Sequence, residues 1–188
     1  NLANNLTAEL NVGYDTFKLS LVICDGCGVQ QLDGTIDPAI MFANYLWVTG
    51  TSKTTLAYLS TLADFCAPYK QDEAKVLEVA SNDGSFLSCL ADRGWIVKGV
   101  DPARNIAEIA NVQGIETIPA FFGLDYLGKN PTEANSYDLV VARNVLPHAP
   151  NIREIFASAR KILNDQGKFL VEFHDASLIH SEGHIDYI

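Results

Sequence analysis

A chain of 188 residues that is 48% hydrophobic can form one full domain and a smaller appendage around a sizeable core. A net charge of -10, with 13 basic residues that form no run, argues against a nucleic-acid or anionic-membrane surface, which needs clustered Lys and Arg. No apolar stretch approaches the roughly 20 residues that span a bilayer, no signal-peptide pattern opens the chain, and four cysteines, two of them in a C-x-x-C, suit a reduced, cytoplasmic protein better than a disulfide framework.

Up to about Gly50 the chain is loop-rich, with "CDGCG" and "LDGTIDP" as turn clusters. From Ser52 the pattern becomes regular. Ser52 is placed to cap a helix that carries Leu56, Leu59, Leu62, Ala63 and Cys66 at three-and-four spacing and that Pro68 ends. "KVLEVA" is an apolar run of strand length, and the helix after it turns Phe86, Leu87, Leu90 and Ala91 inward and stops at Gly94. "WIVKGVD" is a second strand. "PARNIAEIANVQG" predicts a helix with Pro102 in its first turn and Gly114 at its end. "ETIPA" is a short third strand, "YDLVVA" a fourth, "IREIFASARKIL" a helix and "GKFLVEF" a fifth strand. Strands and helices alternating in this way predict an α/β fold with a parallel sheet covered by helices on both faces. No internal repeat or low-complexity segment interrupts it.

Ligands of such sheets lie beyond the C-terminal ends of the strands, where strand order reverses. That singles out Ala80 to Ser85, Asp101 and Pro102, Ala120 to Phe122, Arg143 to His148, and His174. Two acids are in register: Glu78 within the first strand, and Asp101 at the end of the second, where a carboxylate can accept both hydroxyls of a ribose. A nucleoside-type ligand follows, with Asp101 on the diol and Phe121 and Phe122 flanking the base. A dinucleotide would press its pyrophosphate against a glycine-rich turn, but G-x-G-x-x-G is absent and Asp83 would repel phosphate. S-adenosylmethionine carries no phosphate. Its ammonium and carboxylate suit a loop of Ala80, Ser81, Asn82, Asp83 and Gly84 better. An NAD-dependent oxidoreductase or epimerase is disfavoured by the missing glycines, and a noncatalytic nucleoside-binding module stays open as a third reading.

The segments "CDGCGVQQLD", "EVASNDGSFL", "GVDPARNIAEIA" and "VVARNVLPHAPNI" together resemble the S-adenosylmethionine-dependent sugar C-methyltransferases. The resemblance begins at "NLANNL" and covers nearly the whole chain. It implies a class I methyltransferase, Rossmann-like fold, with residues 1–51 as part of a zinc-binding segment and 52–188 as a C-terminally incomplete methyltransferase domain. It implies methyl transfer to a ring carbon of a nucleotide-linked keto-deoxysugar, typically thymidine diphosphate-linked. A base removes the proton beside the ketone, and the enolate then attacks the sulfonium methyl in line. Tyr45 or Trp47 would reach over the cofactor, Asn144 and Val145 would shape the cofactor side, and His148 would polarise the ketone or relay the proton. Cys24 and Cys27 resemble half of a structural zinc site, to be completed only in a longer protein because Cys66 and Cys89 read as core. In the resembling family a Tyr-His-Glu-His run supplying the base follows the position of Ile188, so this chain is expected to be a piece of a longer protein that binds cofactor without turning over. His174, His180 and His184 remain, but His184 lies ahead of that run and is not carried over as the base, and turnover by this chain would point to His148 or His174.

Overall fold

Residues 20–34, 36–175, 177 and 181 are described in the computed structural model of the chain; the "NLANNL" start, His180 and His184 lie outside them. The cysteine-bearing region forms an antiparallel hairpin of β1 (Leu21–Ile23) and β2 (Gln30–Leu32). A one-turn helix, α1 (Pro38–Phe42), follows, with the Asp37 carboxylate accepting the Ala39 N–H. Helix α2 (Lys53–Cys66) starts where expected, with Ser52 Oγ accepting the Thr55 N–H, and buries Leu59, Ala63 and Cys66 along one stripe.

The remaining elements alternate. Strand β3 (Lys75–Val79) leads to α3 (Ser85–Ala91), β4 (Ile96–Val100) to α4 (Arg104–Val112), β5 (Thr117–Ile118) to α5 (Leu124–Lys129), and β6 (Tyr137–Arg143) to α6 (Ile152–Ile162), before β7 (Leu163–Glu172). The five strands β3 to β7 are parallel in the order β5-β4-β3-β6-β7. Successive side chains on β3 and β6 serve opposite faces. Val76, Leu139 and Val141 pack with Leu59, Phe86, Leu87 and Leu90 under α2 and α3. Leu77, Val79, Val140 and Ala142 pack with Tyr126, Ala159 and Ile162 under α5 and α6. Burial on both sides explains why these strands read as continuous apolar runs. Each large apolar side chain so buried contributes about 1.5–3 kcal/mol.

Two details differ from the sequence reading. Pro102 lies outside α4: the helix begins at Arg104, with Ala103 as N-cap, because the Asp101 carboxylate takes the Ala103 N–H and sets the turn ahead of it. Helix α5 went unpredicted, since at six residues with Tyr126 alone buried it shows no apolar period. Among the described residues no helix is long and apolar enough to cross a membrane.

From β3 the chain winds outward to β4 and β5, then crosses back to β6 and β7. The order reverses between β3 and β6, and the crevice beyond their C-terminal ends is where such a sheet binds ligands.

Candidate active site

A cavity of about 720 Å³ opens at that crevice. Asp101 sits at its edge, 5% exposed, and joins two parts of the wall. Its Oδ2 accepts the Asn82 N–H at 2.8 Å and its Oδ1 accepts the Ala103 N–H at 2.8 Å. Burial pushes its pKa up, and the two N–H bonds oppose that shift. Each carboxylate oxygen keeps acceptor capacity for a ligand hydroxyl.

The loop after β3 is tightly wound, with Ala80, Asn82 and Gly84 at φ +52°, +51° and +76°. A side chain at Gly84 would come within 3.0 Å of Ile115, so glycine is needed there for space as well as conformation. Most of the loop's backbone donors are already used. Ala80 N–H and Ser81 N–H bond to Val100 O, Gly84 N–H to Ser81 O, Asn82 N–H to Asp101, and Ser85 N–H to the Asp83 carboxylate. A pyrophosphate would find no cradle of free N–H groups here.

The loop residues expected at the zwitterion divide into two groups. Ala80 and Asn82 line the cavity, whereas Glu78, Ser81, Asp83 and Gly84 do not. Ser81 and Asp83 are 1% and 2% exposed. Asp83 Oδ2 accepts the Gly50 N–H at 2.8 Å; Asn82 Oδ1 accepts the Thr49 N–H at 2.9 Å, and its Nδ2 donates to Trp47 O. The two polar side chains thus fasten the segment before α2 across the mouth of the loop, a long-range pairing that turn propensity does not encode. Gly50 is required by this contact, because a Cβ there would lie 2.5 Å from Ser85 Oγ and 2.7 Å from Asp83 Oδ2.

That fastening brings Tyr45 and Trp47 to the cavity wall. Tyr45 is held through its backbone, with Asn105 Oδ1 accepting its N–H and Asn105 Nδ2 donating to its carbonyl. Pro102, Phe121, Phe122, Asn144 and Val145 also line the cavity. Phe121 is half exposed, while Phe122 packs its ring 5.7 Å from that of Tyr126.

Glu78 is fully buried on the α2/α3 face of the sheet and pairs with Arg143, whose Nε and Nη2 reach its Oε1 at 2.8 and 2.7 Å. Burial pushes the Glu78 pKa up to about 7, against the pull of Arg143. The guanidinium lies 4.7 Å over the Phe86 ring and reaches the cavity. Opposite Arg143 in strand register is Glu172, which also lines the cavity. Tyr58 Oη donates to its Oε2 at 2.6 Å and Asn144 Nδ2 to its Oε1 at 3.1 Å. Tyr58 and Glu172 escaped the sequence reading. The signal was present, since "LVEF" places an acid at a strand's C-terminal end as "GVD" does. His148 follows β6 in a short 3-10 turn and lines the cavity, its ring 6.2 Å from that of Phe42. Burial, and secondarily His174, depresses its pKa, which keeps the imidazole neutral near pH 7.

Cys24 and Cys27 lie on the β1–β2 hairpin, where Gly28 at φ +74° turns the chain and the Cys24 carbonyl accepts the Gly28 N–H. Hydrogen bonds from the Gly26 and Cys27 backbone lower the Cys24 thiol pKa. Cys66 is fully buried and Cys89 half-buried, both in the core under α2 and α3. Among the described residues no three His, Cys, Asp or Glu side chains converge on one metal position. The hairpin therefore offers two of the four ligands a structural zinc needs.

A parallel five-stranded sheet whose switch-point cavity combines an acid after the second strand with a loop whose backbone donors are mostly engaged within the protein defines a class I methyltransferase domain. Residues 53–187 match the methyltransferase domain family, and the chain belongs to it. The chain is 34% identical over 175 residues to the C-methyltransferase NovU of Streptomyces niveus, covering 91% of this chain and 42% of that relative, so it spans less than half of that relative's length. Among solved structures it resembles the PH0226 protein of Pyrococcus horikoshii OT3, with a TM-score of 0.60 and 22% identity over 77% of this chain and 62% of that one. The plantazolicin methyltransferase BpumL, solved in complex with a pentazolic desmethylPZN analog and SAH, has a TM-score of 0.56 and 15% identity, covering 72% of this chain and 53% of that one. Both structures share the fold.

Proposed function

We propose that this chain is the cofactor-binding and methyl-transferring part of a C-methyltransferase that acts on a nucleotide-linked keto-deoxysugar. The carrying observation is the switch-point cavity itself. It sets a carboxylate, Asp101, beside a loop most of whose N–H groups are engaged within the protein, an arrangement that suits a nucleoside without phosphate. The likeness to NovU, over nine-tenths of this chain, directs the transfer to carbon.

S-adenosylmethionine, when bound, supplies an electrophilic methyl group. Asp101 holds the ribose diol, and Phe121 and Phe122 flank the base. Tyr45 and Trp47 close the cavity from the N-terminal side and exclude water from it. The acceptor is a carbon next to a ketone. Its proton leaves to a base, the electron pair moves onto the ketone oxygen, and the resulting enolate carbon takes the methyl while the C–S bond breaks. His148 is neutral near pH 7, so its ring can relay that proton or donate an N–H toward the enolate oxygen. Zinc at Cys24 and Cys27 belongs to this proposal for the protein as a whole, with two further ligands from outside the described residues.

Calorimetric titration of the 188-residue chain with S-adenosylhomocysteine and with NAD tests the cofactor. The expected result is binding of the first and none of the second. Methyl transfer by the whole protein to a thymidine diphosphate keto-sugar then tests the acceptor; transfer to oxygen or nitrogen instead would overturn the carbon assignment.

A further inference from the structure

Once Asn82 and Asp83 are committed to the segment before α2, the cavity lacks the side chains expected to receive the amino-acid end of the cofactor. A different charged group faces it. Glu78, Arg143 and Glu172 lie on the same face of the sheet at the C-terminal ends of β3, β6 and β7. Arg143 neutralises Glu78, through two contacts to one oxygen. Arg143 also feels the charge of Glu172, so the three groups together carry one net negative charge, and Glu172 is the carboxylate of the pair that lines the cavity.

Its carboxylate is not a loose surface group. Tyr58, from α2, donates to one oxygen at 2.6 Å, and Asn144 donates to the other at 3.1 Å. The Asn144 N–H also bonds to the Glu172 carbonyl at 2.8 Å, which locks the two strand ends together. Tyr58, Asn144 and Glu172 all line the cavity that Asp101 edges. Two engaged oxygens leave about two acceptor sites on the carboxylate. Burial and the neighbouring carboxylate push the Tyr58 pKa up to about 12, so the phenol stays a donor throughout the physiological range.

We infer that Glu172 is the counter-ion for the ammonium group of the cofactor's methionine end, with Tyr58 and Asn144 as the residues that position its carboxylate. The inference rests on the cofactor reading above and assigns the end of the cavity away from Asp101. A carboxylate with both oxygens anchored pays little to orient when it meets an ammonium, and charge-assisted bonds of this kind are the strong ones. The same group would repel a carboxylate or phosphate placed there, which sharpens selectivity for an amino-acid nucleoside over a nucleotide.

The test compares two ligands on the 188-residue chain. S-adenosylhomocysteine carries the amino-acid end; 5′-methylthioadenosine has the same nucleoside and sulfur without it. Wild type is expected to bind the first more tightly. Glu172→Gln keeps the side-chain shape and should weaken S-adenosylhomocysteine about ten- to hundredfold, with 5′-methylthioadenosine changed less than about twofold. Tyr58→Phe, which leaves the carboxylate but removes its positioning donor, should weaken S-adenosylhomocysteine selectively by a smaller factor. It also carries the test if Glu172→Gln does not fold. Equal loss for both ligands would make Glu172 a structural residue and overturn the inference. So would unchanged S-adenosylhomocysteine affinity in the variants, or a wild type that binds the two ligands equally. A wild type that binds neither would instead overturn the cofactor reading, and the inference with it.

Discussion

Replacing Arg143 by alanine probes the ion pair beneath the cavity. Glu78 is fully buried, its Oε1 carries both contacts to Arg143, and its Oε2 has no partner among the described residues. Removing the guanidinium leaves a carboxylate that must stay charged without compensation or take up a proton. Breaking a buried pair in this way costs about 3–5 kcal/mol, and loss of the cation over the Phe86 ring adds up to about 2 kcal/mol. For a domain of this size each kcal/mol lowers Tm by roughly 2–4 °C, so the midpoint of thermal unfolding at pH 8 should fall by about 6–28 °C. The loss should depend on pH. With Arg143 in place the folded protein holds the Glu78 pKa near 7 against an ordinary value of 4.5. The folded state thus binds this proton more tightly than the unfolded chain does. The stabilisation from protonation is fully present below about pH 4.5 and is lost as pH rises through about 7. Without Arg143 the folded pKa rises further, so the variant should recover much of its deficit at pH 5. Adding Glu78→Gln to Arg143→Ala should restore stability at pH 8. Thermal or urea unfolding at both pH values reads all three outcomes. A deficit below about 1 kcal/mol at pH 8, or one that is the same at pH 5, would refute the account of a buried, charge-compensated pair.

Other expectations follow from the cavity wall. Asp101→Ala should weaken S-adenosylhomocysteine about tenfold or more by calorimetry, since charge-assisted hydrogen bonds contribute about 1.5–3 kcal/mol; unchanged affinity would remove Asp101 from the site. Gly50→Ala should push against Asp83 and Ser85, break the Gly50–Asp83 bond and lower both Tm and cofactor affinity, whereas the same change at Gly34, where a Cβ meets nothing within 4 Å, should do neither. His148→Ala should leave S-adenosylhomocysteine affinity within about threefold while abolishing methyl transfer by the whole protein, and normal turnover would end its assignment. Metal analysis of the 188-residue chain should find well under one zinc per chain, because among the described residues Cys24 and Cys27 supply only two ligands of four.

Much of the frame was legible in the residues. Strands β3 and β6 are apolar on both faces because both faces are covered, and that yields runs such as "VLEV" and "DLVVA" that need no partner to be recognised. Helices α2 and α6 announce themselves by an apolar stripe, and α2 also by the Ser52 cap, all local in sequence. Asp101 was legible because a strand end in a parallel sheet lies at the ligand edge whatever the order of the strands. Helix α5 was not, being too short to show a period. What the side chains in the cavity do was decided by contacts between residues far apart in the chain. Asn82 and Asp83 read as a polar turn facing a ligand; only folding brings residues 47–50 within reach, and their backbone N–H groups take the acceptors first because burial makes unpaired donors costly. Glu78 pairs with Arg143 across 65 positions, and Tyr58 meets Glu172 across 114. Local pattern determines which segments become strands and helices, because their periodicity sets the faces to be buried; which acids remain free to meet a ligand is set by what the finished sheet places beside them.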